Sequence, residues 1–162
     1  MGLDRWMNAN LATQGYCLSD GEARRLRLGL RFPTALCLGL VVAALVLQSG
    51  PMLAVLVGIG AIGGWTRRHP FDHLWNHGVR HLARAPELPP NPVRRRHAFK
   101  LATVWLAGVA VLFFAGAPAA ATVLGALLVA ACSAVTIFNL CIPSEALAWW
   151  ERRQRARGVV AT

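Results

Sequence analysis

Apolar runs alternate with polar, basic segments along the chain. Residues 32–47 and 52–65 form one pair of apolar runs around Gln48-Ser49-Gly50-Pro51, and residues 101–115 and 119–142 form a second around Gly116-Ala117-Pro118. Gly and Pro at such points mark turns. Without the first turn, residues 32–65 would make one helix about 50 Å long, far beyond a hydrocarbon core of about 30 Å. The pattern therefore predicts an all-α integral membrane protein with four short transmembrane helices arranged as two hairpins. Each arm is short for a spanning helix, which local thinning and snorkelling arginines accommodate. The two halves share a design, so a parallel repeat of two helices plus two is one reading. The plainer one is that any two transmembrane hairpins look this alike.

Between the hairpins, residues 69–81 read HPFDHLWNHGVRH. A helix starting at Pro70 carries His69, His73, His77 and His81 as one slowly drifting stripe and gathers Phe71, Leu74, Trp75, Val79 and Leu82 on another arc. This predicts an amphipathic helix over 70–84 lying in the headgroup plane, its apolar arc in the membrane. The connector PELPPNP at 86–92 cannot continue a helix. Residues 1–18 show no convincing period, Ser19 or Asp20 is placed to cap a short helix, and residues 144–157 after Pro143 predict a second interfacial helix.

Charge fixes an orientation. All seventeen Lys and Arg lie in residues 5–31, 67–100 and 152–157, and the hairpin turns carry none. Basic loops stay in the cytoplasm, so both termini and the central segment are expected there. The expected division is a cytoplasmic segment 1–31, hairpin 32–65, interfacial segment 66–100, hairpin 101–142 and a C-terminal helix and tail 143–162. Trp65, Trp75, Trp149 and Trp150, with Arg94, Arg95 and Arg96, are the expected interface residues. A composition of 56% hydrophobic and only 15% charged residues turns the net charge of +10 towards anionic lipid headgroups rather than nucleic acid. The first twenty residues lack the apolar core of a cleavable signal peptide, and Trp6 stands where a myristoylation signal needs Ser or Thr.

The combination HPFDHLWNHGVRH, PELPPNP, RRRHAFKLATVWL and NLCIPS resembles the bacterial membrane proteins grouped as the DUF4395 family, over roughly residues 24–150. The resemblance implies a small four-helix membrane domain of unassigned molecular function. Some relatives carry two cysteines three apart near the end of the last span. Here that stretch is Cys141-Ile142-Pro143-Ser144, so a two-cysteine exchange within it is not available, although Cys141 remains a candidate reactive thiol.

The candidate chemistry is sparse. Imidazoles four apart can share a divalent metal, which makes His69, His73, His77 and His81 the metal candidates, with Asp72 able to add a carboxylate, and a polar stripe facing water and lipid phosphate the alternative. No cofactor is otherwise expected. Cys17, Cys37, Cys132 and Cys141 form no CxxC pair and read as free thiols. No apolar run contains a histidine for haem or an ionisable residue for transport. Cys132, Thr136 and Asn139 share a face suited to interhelical hydrogen bonds, and Gly39, Ala43, Gly60, Gly64, Ala126, Ala130 and Ala134 are small residues suited to close helix packing. With no catalytic motif present, the leading expectation is a non-enzymatic accessory or scaffold subunit packing against other membrane subunits or itself. The alternative is a metal-binding or thiol-redox membrane component.

Overall fold

The computed structural model describes residues 2–156; Met1 and residues 157–162, including Arg157 of the C-terminal basic cluster, lie outside the described residues. The described residues form helices and no strand. They are α1 (Leu3–Thr13), α2 (Asp20–Val46), α3 (Gly50–Trp65), a fourth helix, α5 (Val93–Phe114), α6 (Pro118–Phe138) and α7 (Ile142–Ala156). The fourth, α4, runs without a break through an α stretch Pro70–Leu74, a π turn Trp75–Val79 and a short α stretch Arg80–Leu82.

Three helices, α2, α5 and α6, are long and apolar enough to cross a membrane. α3, at 16 residues, is apolar but shorter. The two Gly/Pro segments do turn the chain: Gln48 (φ 48°) and Gly116 (φ 73°) reverse it after α2 and α5. The short helix expected after Ser19 and the first apolar run prove to be one helix, α2. Ser19 starts it with a full capping box, its hydroxyl accepting from the Glu22 amide while Glu22 reaches back to the Ser19 amide. Pro33 sits inside α2 and leaves the Gly29 carbonyl without its usual amide.

α2, α3, α5 and α6 form a bundle in which α3 lies against α5, and α6 against both α2 and α5. Its core is concentrated near the two turns, where Ala44, Leu53, Val109 and Ala121 are fully buried. Towards the basic end the helices separate. A second, smaller core builds a cap there from Leu11, Tyr16, Ala23, Leu26, Leu30, Trp75 and Leu88. The helix α1, which the sequence pattern did not predict, belongs to this cap and packs on α2 and α7.

Not all the expected small-residue contacts exist within the chain. A Cβ on Gly60 would meet Thr103 Oγ1 at 2.6 Å, and one on Gly64 would meet Lys100 Cγ at 2.8 Å with its backbone N at 3.2 Å, so α3 and α5 touch through these glycines. Gly125 does the same against Leu45. Gly39 faces open space, and Ala126 and Ala130 are exposed, whereas Ala43 and Ala134 are half-buried. The polar face of α6 is also used differently. Thr136 and Ser133 bond carbonyls of their own helix, as Thr103 and Thr122 do in α5 and α6. The expected interhelical bonding at Thr136 is therefore corrected: a hydroxyl one turn from a helical carbonyl satisfies itself locally.

Gly64→Ala should push α3 off the Lys100 backbone and lower stability by about 1–3 kcal/mol, whereas Gly39→Ala should not. Thermal unfolding of the two variants in detergent checks this; equal melting temperatures would contradict the assigned contact.

Candidate functional site: a buried polar relay over an apolar cavity

The site begins with a proline-initiated turn. His69 caps α4, its Nδ1 accepting from the Phe71 amide at 3.2 Å, and Asp72 Oδ2 accepts from the His69 amide at 2.6 Å. This reciprocal cap turns both side chains inward, and each is almost wholly buried. A carboxylate there needs further donors. It finds one in Asn91 of the Pro-rich connector, whose Nδ2 donates to Asp72 Oδ2. The Asn91 Oδ1 accepts from the Tyr16 hydroxyl at 2.9 Å, and the Tyr16 hydroxyl oxygen in turn accepts from Arg95 Nη1 at 3.0 Å. Arg95 Nη2 donates to Leu30 O at 3.0 Å, one residue from the carbonyl that Pro33 frees. Arg95 and Asp72 are thus linked through two side chains, and every member of the relay is buried. Burial raises the Tyr16 pKa, with Arg95 opposing; the phenol remains a donor. Burial likewise pulls His69 down to about 4, against the attraction of Asp72 and with Arg95 assisting.

Arg94, Arg95 and Arg96, expected at the lipid interface, clamp three different elements instead. Successive residues of a helix point about 100° apart. Arg94 pairs with Glu151 of α7 and donates to Thr13 O at 3.2 Å. Arg95 enters the relay, and Arg96 donates to Trp65 O, the last carbonyl of α3, at 2.9 Å. Arg31 donates to Ile137 O at 2.6 Å, Asn10 to Phe138 O at 3.0 Å and Gln14 to Asn139 O at 2.6 Å. The end of α6 is thereby capped by side chains from α1 and α2. Asn139 itself turns the chain, in the left-handed region at φ 54°.

Trp75 also departs from expectation. It is 1% exposed, its ring lying against Gly29 and 5.3 Å from Phe32, with Nε1 donating to Pro86 O at 3.3 Å. The apolar arc assigned to the membrane is split: Leu82 is 88% exposed and Leu74 about half exposed. The buried face of α4 is Asp72, Trp75 and Asn76, because the connector supplies their partners, Leu88 N reaching Asn76 Oδ1 at 2.8 Å. Trp65, Trp149 and Trp150 do lie on the surface, Trp65 under Lys100 and Trp149 under Arg153.

The histidine stripe is divided as well. His69 is buried, whereas His73, His77 and His81 are exposed, with the His73 and His77 rings stacked at 5.9 Å. Among the described residues no three His, Cys, Asp or Glu side chains gather as a metal site would require. Cys141 is buried just before α7 and accepts from the Ser144 hydroxyl at 3.1 Å.

Below the relay, where the bundle separates, lies a cavity of about 320 Å³. Its walls come from α2, α3, α5 and α6 and the start of α7, and include Cys37, Cys132 and Cys141. His69, Arg95 and Gln14 border it at the basic end. Tyr16, Asn91, Gln14 and the cavity carry no sequence motif. The signals that could have found them are the His69-Pro70-x-Asp72 capping box and the lone Asn91 among prolines.

An all-helical chain with long apolar helices and a polar cap is of membrane-protein type. It belongs to the family described as Domain of unknown function (DUF4395), whose model matches residues 27–152. No curated protein and no solved structure matches the chain.

His69 gives the site a pH signature. Its folded pKa of about 4 lies below the ordinary 6.5, so the unfolded chain binds the extra proton between those values. The stabilisation is full above about pH 6.5 and is lost as pH falls towards 4, by at most about 3 kcal/mol. Melting temperatures across that range should fall in the wild type and flatten in His69→Phe. Separately, Tyr16→Phe and Asn91→Ala should each cost about 1–3 kcal/mol, and the double variant should cost clearly less than their sum.

Proposed function

We propose that the chain crosses a bacterial inner membrane four times, through α2, α3, α5 and α6 as two hairpins, with both termini and α4 in the cytoplasm. We further propose that it acts as a non-enzymatic accessory subunit. The observation that carries this reading is the outer surface of the bundle. Val46, Val55, Ile62, Val104, Val111, Val123 and Leu127 are each more than half exposed, and these helix faces carry no charge. Water does not tolerate such a surface, whereas lipid or another apolar helix does. The 16 residues of α3 rise only about 24 Å. Trp65 and Lys100, stacked at its end, provide an interfacial anchor for a short span. Gly39, Ala126 and Ala130, which face outward, suit close approach by a helix of another subunit or a second copy. The basic surface suits anionic lipid headgroups.

A second reading, a metal or thiol component, draws on the stacked His73–His77 pair and on Cys141, which sits at a helix N-terminus with Ser144 donating to its sulfur. Purification in mild detergent with metal analysis and identification of co-purifying proteins separates the two. The accessory reading predicts a stable complex, with itself or another membrane protein, and no stoichiometric metal; stoichiometric metal would reverse the order. Reporter fusions at Ser49 and Pro90 should report opposite compartments, and the same compartment for both would overturn the topology.

A further inference from the structure

The cavity has features that packing alone does not account for. The bundle is close-packed near its turns yet open beneath the cap, and the opening, about 320 Å³, is of the size that takes a small molecule. Its walls are almost wholly apolar, with Leu106, Leu128 and Val135 among them. The polar groups at its basic end are nearly all committed. Gln14 donates to Asn139 O, and the terminal nitrogens of Arg95 are bonded to Tyr16 and Leu30. The positive charge of Arg95 is balanced by Asp72 through the relay. One donor is left. Because His69 Nδ1 accepts from Phe71, the proton of the neutral imidazole resides on Nε2. His69 is 2% exposed and borders the cavity, and among the described residues Nε2 has no hydrogen-bond partner.

We propose that this cavity binds a neutral, carbonyl-bearing membrane lipid of the quinone class, its carbonyl oxygen accepting from His69 Nε2 and its ring and tail lying between α2, α5 and α6. The chemistry of the site favours that class over charged lipids and over plain hydrocarbon. A lipid phosphate or a fatty carboxylate would bring a negative charge into a cavity of apolar walls whose lining cation, Arg95, has both terminal nitrogens already bonded to Tyr16 and Leu30. A plain hydrocarbon chain would fill the walls but leave the Nε2–H unsatisfied. The low pKa of His69 agrees with a neutral donor. Trp105, which lines the cavity, provides a reporter.

The test uses the full chain in detergent or nanodiscs and a decyl-naphthoquinone as probe, following quenching of Trp105 as the difference between the wild type and Trp105→Phe. Saturable quenching is expected. It should be abolished by Val135→Trp, which fills the cavity, and its Kd should rise about tenfold in His69→Phe, as loss of one hydrogen bond gives. Decyl phosphate and decanol should compete poorly. Absence of saturable quenching in the wild type would overturn the proposal, as would unchanged quenching in Val135→Trp. Decanol competing as well as the quinone would reduce the cavity to a non-specific apolar cleft, and decyl phosphate competing better would assign it to anionic lipids. If His69→Phe fails to fold, Val135→Trp and the two competitors still decide.

Discussion

The structure depends on one buried pair of opposite charges held apart. Arg95 and Asp72 never touch, but Tyr16 and Asn91 stand between them and complete both sets of hydrogen bonds. Either ion alone in this setting would carry a desolvation cost of several kcal/mol, and the bridging groups make the burial tolerable only while all of them are present. The relay draws on the loop after α1, the N-terminal cap of α4, the Pro-rich connector and the first turn of α5. Four segments distant in sequence are therefore fixed by one set of bonds.

This constraint shapes the bundle below it. The first turn of α5 is held by its three consecutive arginines to α7 and α1, to the cap and α2, and to the end of α3. At the opposite end small residues and leucines draw the helices together. A bundle closed at one end and propped at the other leaves a partly open apolar cavity beneath the polar cap. The helix ends at the basic face also gain from this arrangement, since the final carbonyls of α3 and α6 receive side-chain donors from Arg96, Arg31, Asn10 and Gln14.

Much of the helical layout was legible in the sequence, because long apolar runs and Gly/Pro turns speak for themselves. Ser19 as a cap was legible for the same local reason. α1 was not: its inward positions are Met7, Asn10, Leu11 and Gln14, a helical stripe that half consists of amides and so shows no hydrophobic period. α4 misled more seriously. Its apolar arc reads as a membrane face, yet Asp72 and Asn76 are buried beside Trp75 because remote residues, Asn91 and Leu88, supply their hydrogen bonds. Periodicity assumes that polar means exposed, and that assumption fails where a partner comes from elsewhere in the chain. For the same reason Arg95, which its place before a span assigns to the lipid headgroups, lies in the interior.

The central claim is that the cap is a protein core and not a helix laid into lipid. Trp75 reports on it directly. In a variant whose other tryptophans are replaced by phenylalanine, reconstituted in vesicles, Trp75 emission should resist quenching both by aqueous iodide and by brominated phospholipid, because its ring lies between α2 and the connector. Strong quenching by the brominated lipid would put that ring in the membrane and contradict the account.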